Sequence, residues 1–80
     1  MRIDKYLKVS RIIKRRTVAQ EACDQNRVMI NGKVAKAGAK VSVGDVIEIN
    51  FGTSPVKYEV LELKEHVKKE DTSAMYRVVD

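Results

Sequence analysis

With 80 residues, 44% of them hydrophobic, and a single proline, the chain has the composition of one small folded domain with no room for a second core. Its formal net charge is +5. No stretch approaches the roughly 20 apolar residues that a membrane span needs, so we expect a cytoplasmic protein without a membrane segment. The lone Cys23 excludes a disulfide framework and a thiolate metal site, and we expect it to be buried as a small hydrophobic residue.

The charge is distributed unevenly along the chain. Residues 1–40 carry eleven Lys or Arg against three acids, a net of +8, whereas residues 41–80 carry five against eight, a net of −3. Such asymmetry favours a polyanionic partner, either nucleic acid or an anionic membrane. On charge alone, a basic surface that serves only solubility is the alternative.

The first predicted element is a helix over residues 2–9. At about 100° per residue, one arc of this helix is apolar and would face a core, while the rest is cationic. The apolar arc consists of Ile3, Tyr6, Leu7 and Ser10, and the residues outside it include Arg2, Lys5, Lys8 and Arg11. Asp4 has two interpretations, either as an acid favoured by the dipole at the helix N-terminus or as an ion-pair partner of Arg16.

A second helix is predicted after a short connector in which Ile12 and Ile13 both pack inward. Thr17 followed by Gln20 predicts a capping box at the start of this helix. Asn26, which tolerates a left-handed backbone, predicts its end. The apolar side of the helix would consist of Val18, Ala19, Ala22 and Cys23.

From Val28 onward the pattern becomes that of strands. Residues 28–34 predict a hairpin with Asn31-Gly32 in a type I′ turn. Further strands are predicted over 46–51, 56–63 and 75–79, with turns at 44–45 and 52–55 and a charged connection over 64–73. The last strand would pair back on the one before it. Helices followed by strands predict an α+β fold, with two N-terminal helices packed on a small, mainly antiparallel sheet in a single domain over 1–80.

No catalytic or cofactor-binding group is evident in the sequence. The only histidine, His66, lies among Lys and Glu residues and is expected to be a solvated loop residue. Without a cysteine or a second histidine near it, neither a nucleophile–base pair nor a histidine zinc site is supported. Glu48, Glu59 and Glu62 are expected at exposed strand positions. We therefore expect a protein that is not an enzyme and carries no cofactor.

Four segments form a recognisable pattern in order and at consistent spacing: RIDKYL at 2–7, KRRTVA at 14–19, RVMINGK at 27–33 and VGDVI at 43–47. Together they resemble the S4 RNA-binding domain, named after a small-subunit ribosomal protein. The resemblance covers residues 1–50 and leaves 51–80 as a C-terminal β extension. One departure is Asn26, where the family usually has Gly, but Asn adopts left-handed backbone angles nearly as well.

The resemblance implies RNA binding by basic residues of the matched segments and their neighbours. These are Arg2, Lys5, Lys8, Arg11, Lys14, Arg15, Arg16, Arg27 and Lys33. No catalytic domain is fused to the motif, so we expect none of the pseudouridine synthases, tRNA synthetases or methyltransferases that also carry it. The chain is most similar to the free-standing members of bacterial ribosome-associated quality control. A related heat-shock or ribosome-assembly factor is the alternative, although the heat-shock relative usually has a longer basic tail.

For those free-standing members the implied target is an obstructed large ribosomal subunit. Its partners would be ribosomal RNA of the large subunit, peptidyl-tRNA and a tail-adding quality-control factor on the same subunit, with the protein itself a monomer. Lysines and arginines on two neighbouring helices fit this target, because A-form RNA is recognised mostly through its backbone and shape. Tyr6 lies on the core arc and aromatic residues are few, which disfavours base stacking on a sheet.

Two other classes of function are compatible with parts of the pattern. A membrane-surface helix could use the first sixteen residues, but its apolar arc has no Trp or Phe and is needed for the core. A protein-interaction module could use an edge strand over 75–79. Binding that collapses in moderate salt would favour RNA, and salt-resistant capture of a protein would favour the interaction module.

Overall fold

The computed structural model describes residues 1–52 and 54–79. In them, two helices, α1 (Ile3–Val9) and α2 (Arg16–Asp24), precede five strands and a short 3-10 helix, Lys69–Ala74. The strands are β1 (Val28–Ile30), β2 (Lys33–Val34), β3 (Val46–Ile49), β4 (Val56–Val60) and β5 (Tyr76–Val79). They form one sheet in the order β2-β1-β3-β4-β5, and every neighbouring pair is antiparallel. The predicted α+β class is confirmed.

Helix α1 buries the side that its spacing predicts. Ile3, Tyr6, Leu7 and Ser10 are all 0% exposed. The helix ends at Val9, and Arg11 follows it with a φ of 63°, in the left-handed region that most side chains avoid. Arg11 therefore does not extend the cationic side of the helix but lies in the connector to α2, where Ile13 is buried as expected.

The predicted capping box at the start of α2 is wrong. The N-cap residue is Arg15, without a side-chain cap hydrogen bond, and Thr17 lies inside the first turn. The Gln20 amide that the capping box would use instead donates to Asp4 of α1 at 2.9 Å. Val18 is 39% exposed, so it does not belong to the buried side of the helix. The end of the helix is as predicted, with Asn26 at a φ of 59°.

The hairpin between β1 and β2 is confirmed in position and turn geometry. Asn31 and Gly32 have φ values of 51° and 83°, as a type I′ turn requires, and Ile30 pairs with Lys33. The Asn31 side chain also joins this turn to the 44–45 turn. It donates to Asp45 Oδ1 at 3.0 Å and accepts from the backbone N–H of Val46 at 2.9 Å.

One face of the sheet packs against the helices and forms the core. Val28, Ile47, Ile49 and Val60 are buried there against the apolar side of α1. The Tyr6 hydroxyl donates to the backbone carbonyl of Met75 at 2.8 Å and so joins α1 to the start of β5.

The C-terminal third differs in part from the sequence-based expectation. Strand β4 ends at Val60 rather than at residue 63, where its pairing with β3 and β5 also ends. Leu63 and Val67 then pack against the core. The connection over 64–73 is not wholly irregular, since it contains most of the 3-10 helix. Strand β5 pairs with β4 as predicted, with Tyr58 opposite Val78. The predicted 52–55 turn includes Thr53, which lies outside the described residues. Within 1–52 and 54–79, no helix is long and apolar enough to span a bilayer.

Candidate nucleic-acid interface

A buried carboxylate organises the basic surface of the two helices. Asp4 is 0% exposed and accepts hydrogen bonds from two guanidinium groups. Arg2 donates through Nε to Oδ1 and through Nη2 to Oδ2, both at 3.2 Å. Arg16 donates through Nε to Oδ2 at 3.2 Å and through Nη2 to Oδ1 at 3.4 Å. With Gln20, these residues form what we call the Asp4 cluster: Arg2, Asp4, Arg16 and Gln20.

The electrostatics of the Asp4 cluster keep its carboxylate ionised. Burial alone would raise the pKa of Asp4, but hydrogen bonds from Gln20, Arg16 and the Lys5 backbone N–H outweigh it and hold the pKa below its usual value. Arg2 and Arg16 are fixed at one end by this carboxylate, while 53% and 42% of their side chains stay exposed. Both interpretations of Asp4 therefore hold: it lies in the first turn of α1 and it pairs with Arg16.

The loop after the hairpin is fastened to the start of α1. The backbone N–H of Ile3 donates to Ala39 at 2.7 Å, and Arg2 forms an isolated β-bridge with Lys40. This pairing places exposed Lys40 beside Arg2, a neighbour that the sequence analysis did not identify. Its only signal in the sequence was the high positive charge of residues 27–40.

Three of the predicted RNA-binding residues converge on a different feature. Lys8, Arg11 and Lys14 line a cleft of about 210 Å³, and its other wall includes Glu65 and His66. We call this the cationic cleft. His66 is exposed, as predicted, and it lines the same cleft as these cations.

The remaining predicted RNA-binding residues belong neither to the Asp4 cluster nor to the cationic cleft. Lys5 forms an ion pair with Glu65, and Arg15 is exposed at the N-cap of α2. Arg27 donates through Nε to Gln25 at 2.8 Å and through Nη1 to the Asn50 carbonyl at 3.4 Å. Lys33 is exposed on β2, at the opposite end of β1 from Arg27. The structure thus gathers seven of the nine residues on α1, the connector and the first turn of α2, and separates Arg27 and Lys33 from them.

The prediction that the acidic strand residues are exposed is wrong. Glu48 and Glu59 are half-buried and lie near Lys57 and Arg77, at 3.9 and 2.6 Å. Glu62 lies beyond the end of β4, with Lys64 at 3.1 Å. Across residues 1–52 and 54–79, no group of three or more His, Cys, Asp or Glu side chains could hold a metal ion.

Cys23 is buried as expected. It is 0% exposed, and this burial raises the pKa of its thiol, so the side chain acts as a small hydrophobic residue of the core. The fold and these side chains define a small basic α+β domain in which most of the predicted RNA-binding cations lie on or beside the two helices and their connector.

Comparison with known proteins places the domain in a family. A family model of the S4 domain matches residues 1–47, and the chain belongs to this family. An RQC P-site tRNA stabilizing factor from Halalkalibacterium halodurans is 54% identical over 78 residues, covering 98% of this chain and 89% of that protein. Its namesake from Streptococcus pneumoniae is 52% identical over 79 residues, covering 99% and 90%. The resemblance described from the sequence is confirmed.

Two solved structures agree with the fold. A trimeric structure of Vibrio cholerae Heat Shock Protein 15 superposes with a TM-score of 0.89 at 24% identity, covering 99% of this chain and 81% of that chain. The solution structure of the hypothetical protein HP1423 gives a TM-score of 0.85 at 32% identity, covering 100% and 98%. The predicted arrangement of helices, sheet and C-terminal strand extension is therefore shared with experimentally determined structures.

Proposed function

We propose that the chain binds RNA of the large ribosomal subunit and stabilises peptidyl-tRNA on obstructed subunits during ribosome-associated quality control. It would act as a monomer in the cytoplasm, without catalysis, and assist a tail-adding factor on the same subunit. The observation that carries this proposal is the Asp4 cluster, in which one carboxylate holds two guanidinium groups at the surface of the S4 domain. Those relatives carry the name RQC P-site tRNA stabilizing factor and are 52–54% identical over nearly the whole chain.

The geometry of the Asp4 cluster suits a phosphate backbone. A guanidinium group presents several donors in a rigid fork and binds phosphate oxygens through two of them. Asp4 uses some of the donors of Arg2 and Arg16 and fixes the direction of the rest. Because the side chains are ordered before RNA arrives, less conformational entropy is lost on binding.

Three of the four aromatic residues favour recognition of the RNA backbone rather than of bases, and the fourth, Phe51, is a single ring that is 58% exposed. Tyr6 is fully buried, and Tyr58 and Tyr76 pack edge to face with ring centroids 5.4 Å apart. These two rings are half-buried against each other and do not form an open platform for stacked bases. A basic surface without a platform of several rings favours structured RNA, which is recognised largely through phosphates and 2′-hydroxyl groups.

A second candidate function is supported by the sheet edge. Strand β5 is the last strand of the sheet in the described residues, and Val78 on it is 57% exposed. An extended peptide could add to this edge and bury Val78, which would make the chain a protein-interaction module. Replacement of Val78 by Lys would then abolish partner capture while RNA binding stays unchanged.

Sedimentation with ribosomal subunits tests the proposed function. Tagged protein is expected to sediment with large subunits that retain peptidyl-tRNA, and sequencing of crosslinked RNA should identify ribosomal RNA and tRNA. Arg2→Ala should reduce this association, whereas Lys69→Ala, which removes the same charge from the exposed 3-10 helix, should not. Equal losses in both variants, or no association of the unmodified protein, would contradict the proposal.

A further inference from the structure

The cationic cleft combines the family domain with a segment outside it. Lys8, Arg11 and Lys14 belong to residues 1–47, which the family model matches, whereas Glu65 and His66 lie beyond that match. The cleft has a volume of about 210 Å³ and opens to solvent, which leaves room for a tetrahedral anion. Its walls carry three cations, one carboxylate and one imidazole.

In the part of the chain that the structure describes, the three cations of the cleft have no partner of their own. Within residues 1–52 and 54–79, the side chains of Lys8, Arg11 and Lys14 form no hydrogen bond and no ion pair with other residues. Like charges that converge on a concave space repel one another, so an anion between them relieves that repulsion. The unpaired state of these cations therefore favours an anionic ligand in the cleft.

Arg11 is held in an unfavourable backbone conformation at the rim of this cleft. Its φ of 63° follows the end of α1, where a chain commonly adopts the left-handed region with Gly or Asn. An arginine at such a position is uncommon, and strained residues of this kind are concentrated at functional sites. Gly or Asn would suit the turn better, so the arginine costs backbone strain while it places a cation at the cleft.

The carboxylate that lines the cleft is paired with a lysine that lies outside the cleft. Glu65 forms an ion pair with Lys5, which does not line the cleft. The segment that carries Glu65 is also anchored independently, because Leu63 and Val67 pack against the core on either side of it. Removing the charge of Glu65 would therefore alter the electrostatics of the cleft without releasing the segment.

We propose that the cationic cleft binds one phosphate group of an RNA backbone, with Lys8, Arg11 and Lys14 as its cations and His66 as a further donor. Glu65 competes with the phosphate: it weakens the site and holds Lys5 away from RNA until a phosphate group enters. The identity of the ligand as RNA rests on the proposed function, whereas the anion site itself does not. Residues 65–67 thereby become part of the RNA-binding surface, to which the family match does not extend.

A pair of matched substitutions tests the role of Glu65. Glu65→Gln and Glu70→Gln each remove one negative charge, but Glu70 is exposed in the 3-10 helix and does not line the cleft. Glu65→Gln is expected to tighten binding to large-subunit RNA roughly fivefold more than Glu70→Gln, the effect of one unit charge at contact distance in water. Equal changes in the two variants, or weaker binding by Glu65→Gln, would overturn the proposal.

Titration of isotope-labelled protein with pyrophosphate tests the anion site without RNA. Backbone NMR shifts are expected at residues 8, 11, 14 and 65–67, and Arg11→Asn should abolish them while the melting temperature is kept, because Asn tolerates the left-handed turn. His66→Ala should weaken them. Shifts confined to Arg2 and Arg16, or no shifts, would overturn the site even if the protein sediments with large subunits. Shifts at the cleft without sedimentation would support the site and refute the proposed function.

Discussion

Two groups of basic residues lie on the same part of the molecule but are held in different ways. Arg2 and Arg16 share the buried carboxylate of Asp4, which fixes their guanidinium groups by hydrogen bonds of 3.2 to 3.4 Å. Lys8, Arg11 and Lys14 surround the cationic cleft and have no such partner in residues 1–52 and 54–79. All five side chains carry the same charge. The two groups differ in whether a carboxylate of the protein fixes the side chain.

This difference separates two contributions to binding. Ordered guanidinium groups lose little side-chain entropy when they bind and can impose one geometry on a phosphate backbone. Cations without a protein partner depend more on counterion release, which follows charge and salt, even where they surround one phosphate group. We therefore expect substitutions at the Asp4 cluster to change stability and affinity together, and substitutions at the cleft to change affinity alone.

The largest effect is expected from Asp4→Asn. Loss of the buried carboxylate leaves Arg2 and Arg16 without their shared anion, but both are half-exposed and can be solvated. We expect a loss of about 2–3 kcal/mol in the free energy of unfolding, less than for a fully buried pair, and a fall of about 10 °C or more in melting temperature. Urea and thermal unfolding would measure both.

In RNA binding, Asp4→Asn distinguishes the effect of net charge from the effect of fixing the Arg2 and Arg16 side chains. Asp4→Asn raises the net charge by one, so charge alone would strengthen binding at low salt. Loss of order in Arg2 and Arg16 predicts weaker binding instead, about tenfold at a temperature where the variant is folded. Tighter binding by folded Asp4→Asn would show that the arrangement of the two arginines is unimportant.

Neighbouring residues allow a second, smaller comparison. Arg16→Ala should cost about 1 kcal/mol of stability, because it removes two donors from Asp4, and should also weaken RNA binding. Arg15→Ala removes the same charge one residue earlier, at an exposed position outside the Asp4 cluster, and should keep stability within about 0.5 kcal/mol. If the two variants unfold at the same urea concentration, Asp4 does not hold Arg16 in solution.

The pH dependence of stability follows from the pKa of Asp4. Hydrogen bonds hold this pKa below that of the unfolded chain, which is about 3.9. The stabilisation from Asp4 is therefore complete above that pH and is lost as pH falls through the lower pKa of the folded state. The difference in unfolding free energy between the unmodified protein and Asp4→Asn should shrink on acidification. A constant difference from neutral pH to about pH 3 would contradict the assigned direction.

The sequence predicted the elements better than the contacts between them. The core side of α1, the left-handed Asn26 and the Asn31-Gly32 turn each depend on local spacing or residue type, and all three are confirmed. The capping box failed because Gln20 donates to Asp4, a residue sixteen positions earlier that local pattern cannot connect to it. The predicted end of β4 was wrong for a related reason, since the strand ends where its pairing with β3 and β5 ends, and local pattern does not show where those partners stop.

The candidate site shows the same limit. The basic residues could be identified from the S4 motif, but the structure was needed to separate those that bond to Asp4 from those that line the cationic cleft. Asp4 was assigned two alternative roles because helix position and charge alone could not show its burial. His66 and Glu65 were interpreted as loop residues, and only the folding of residues 61–68 against α1 brings them to Lys8 and Arg11.

The smallest expected effect concerns the cations of the cationic cleft. If about five basic residues replace counterions, log K for structured RNA should fall with log salt at a slope of roughly −3.5 to −4.5. Lys14→Gln should make this slope shallower by about 0.7 to 0.9, with an unchanged melting temperature, whereas Lys57→Gln on β4 should leave it unaltered. Titrations of labelled RNA hairpins from about 50 to about 200 mM salt would measure these slopes. A slope near zero for the unmodified protein would mean that its cations only keep it soluble, and an unchanged slope in Lys14→Gln would exclude Lys14 from the RNA contact.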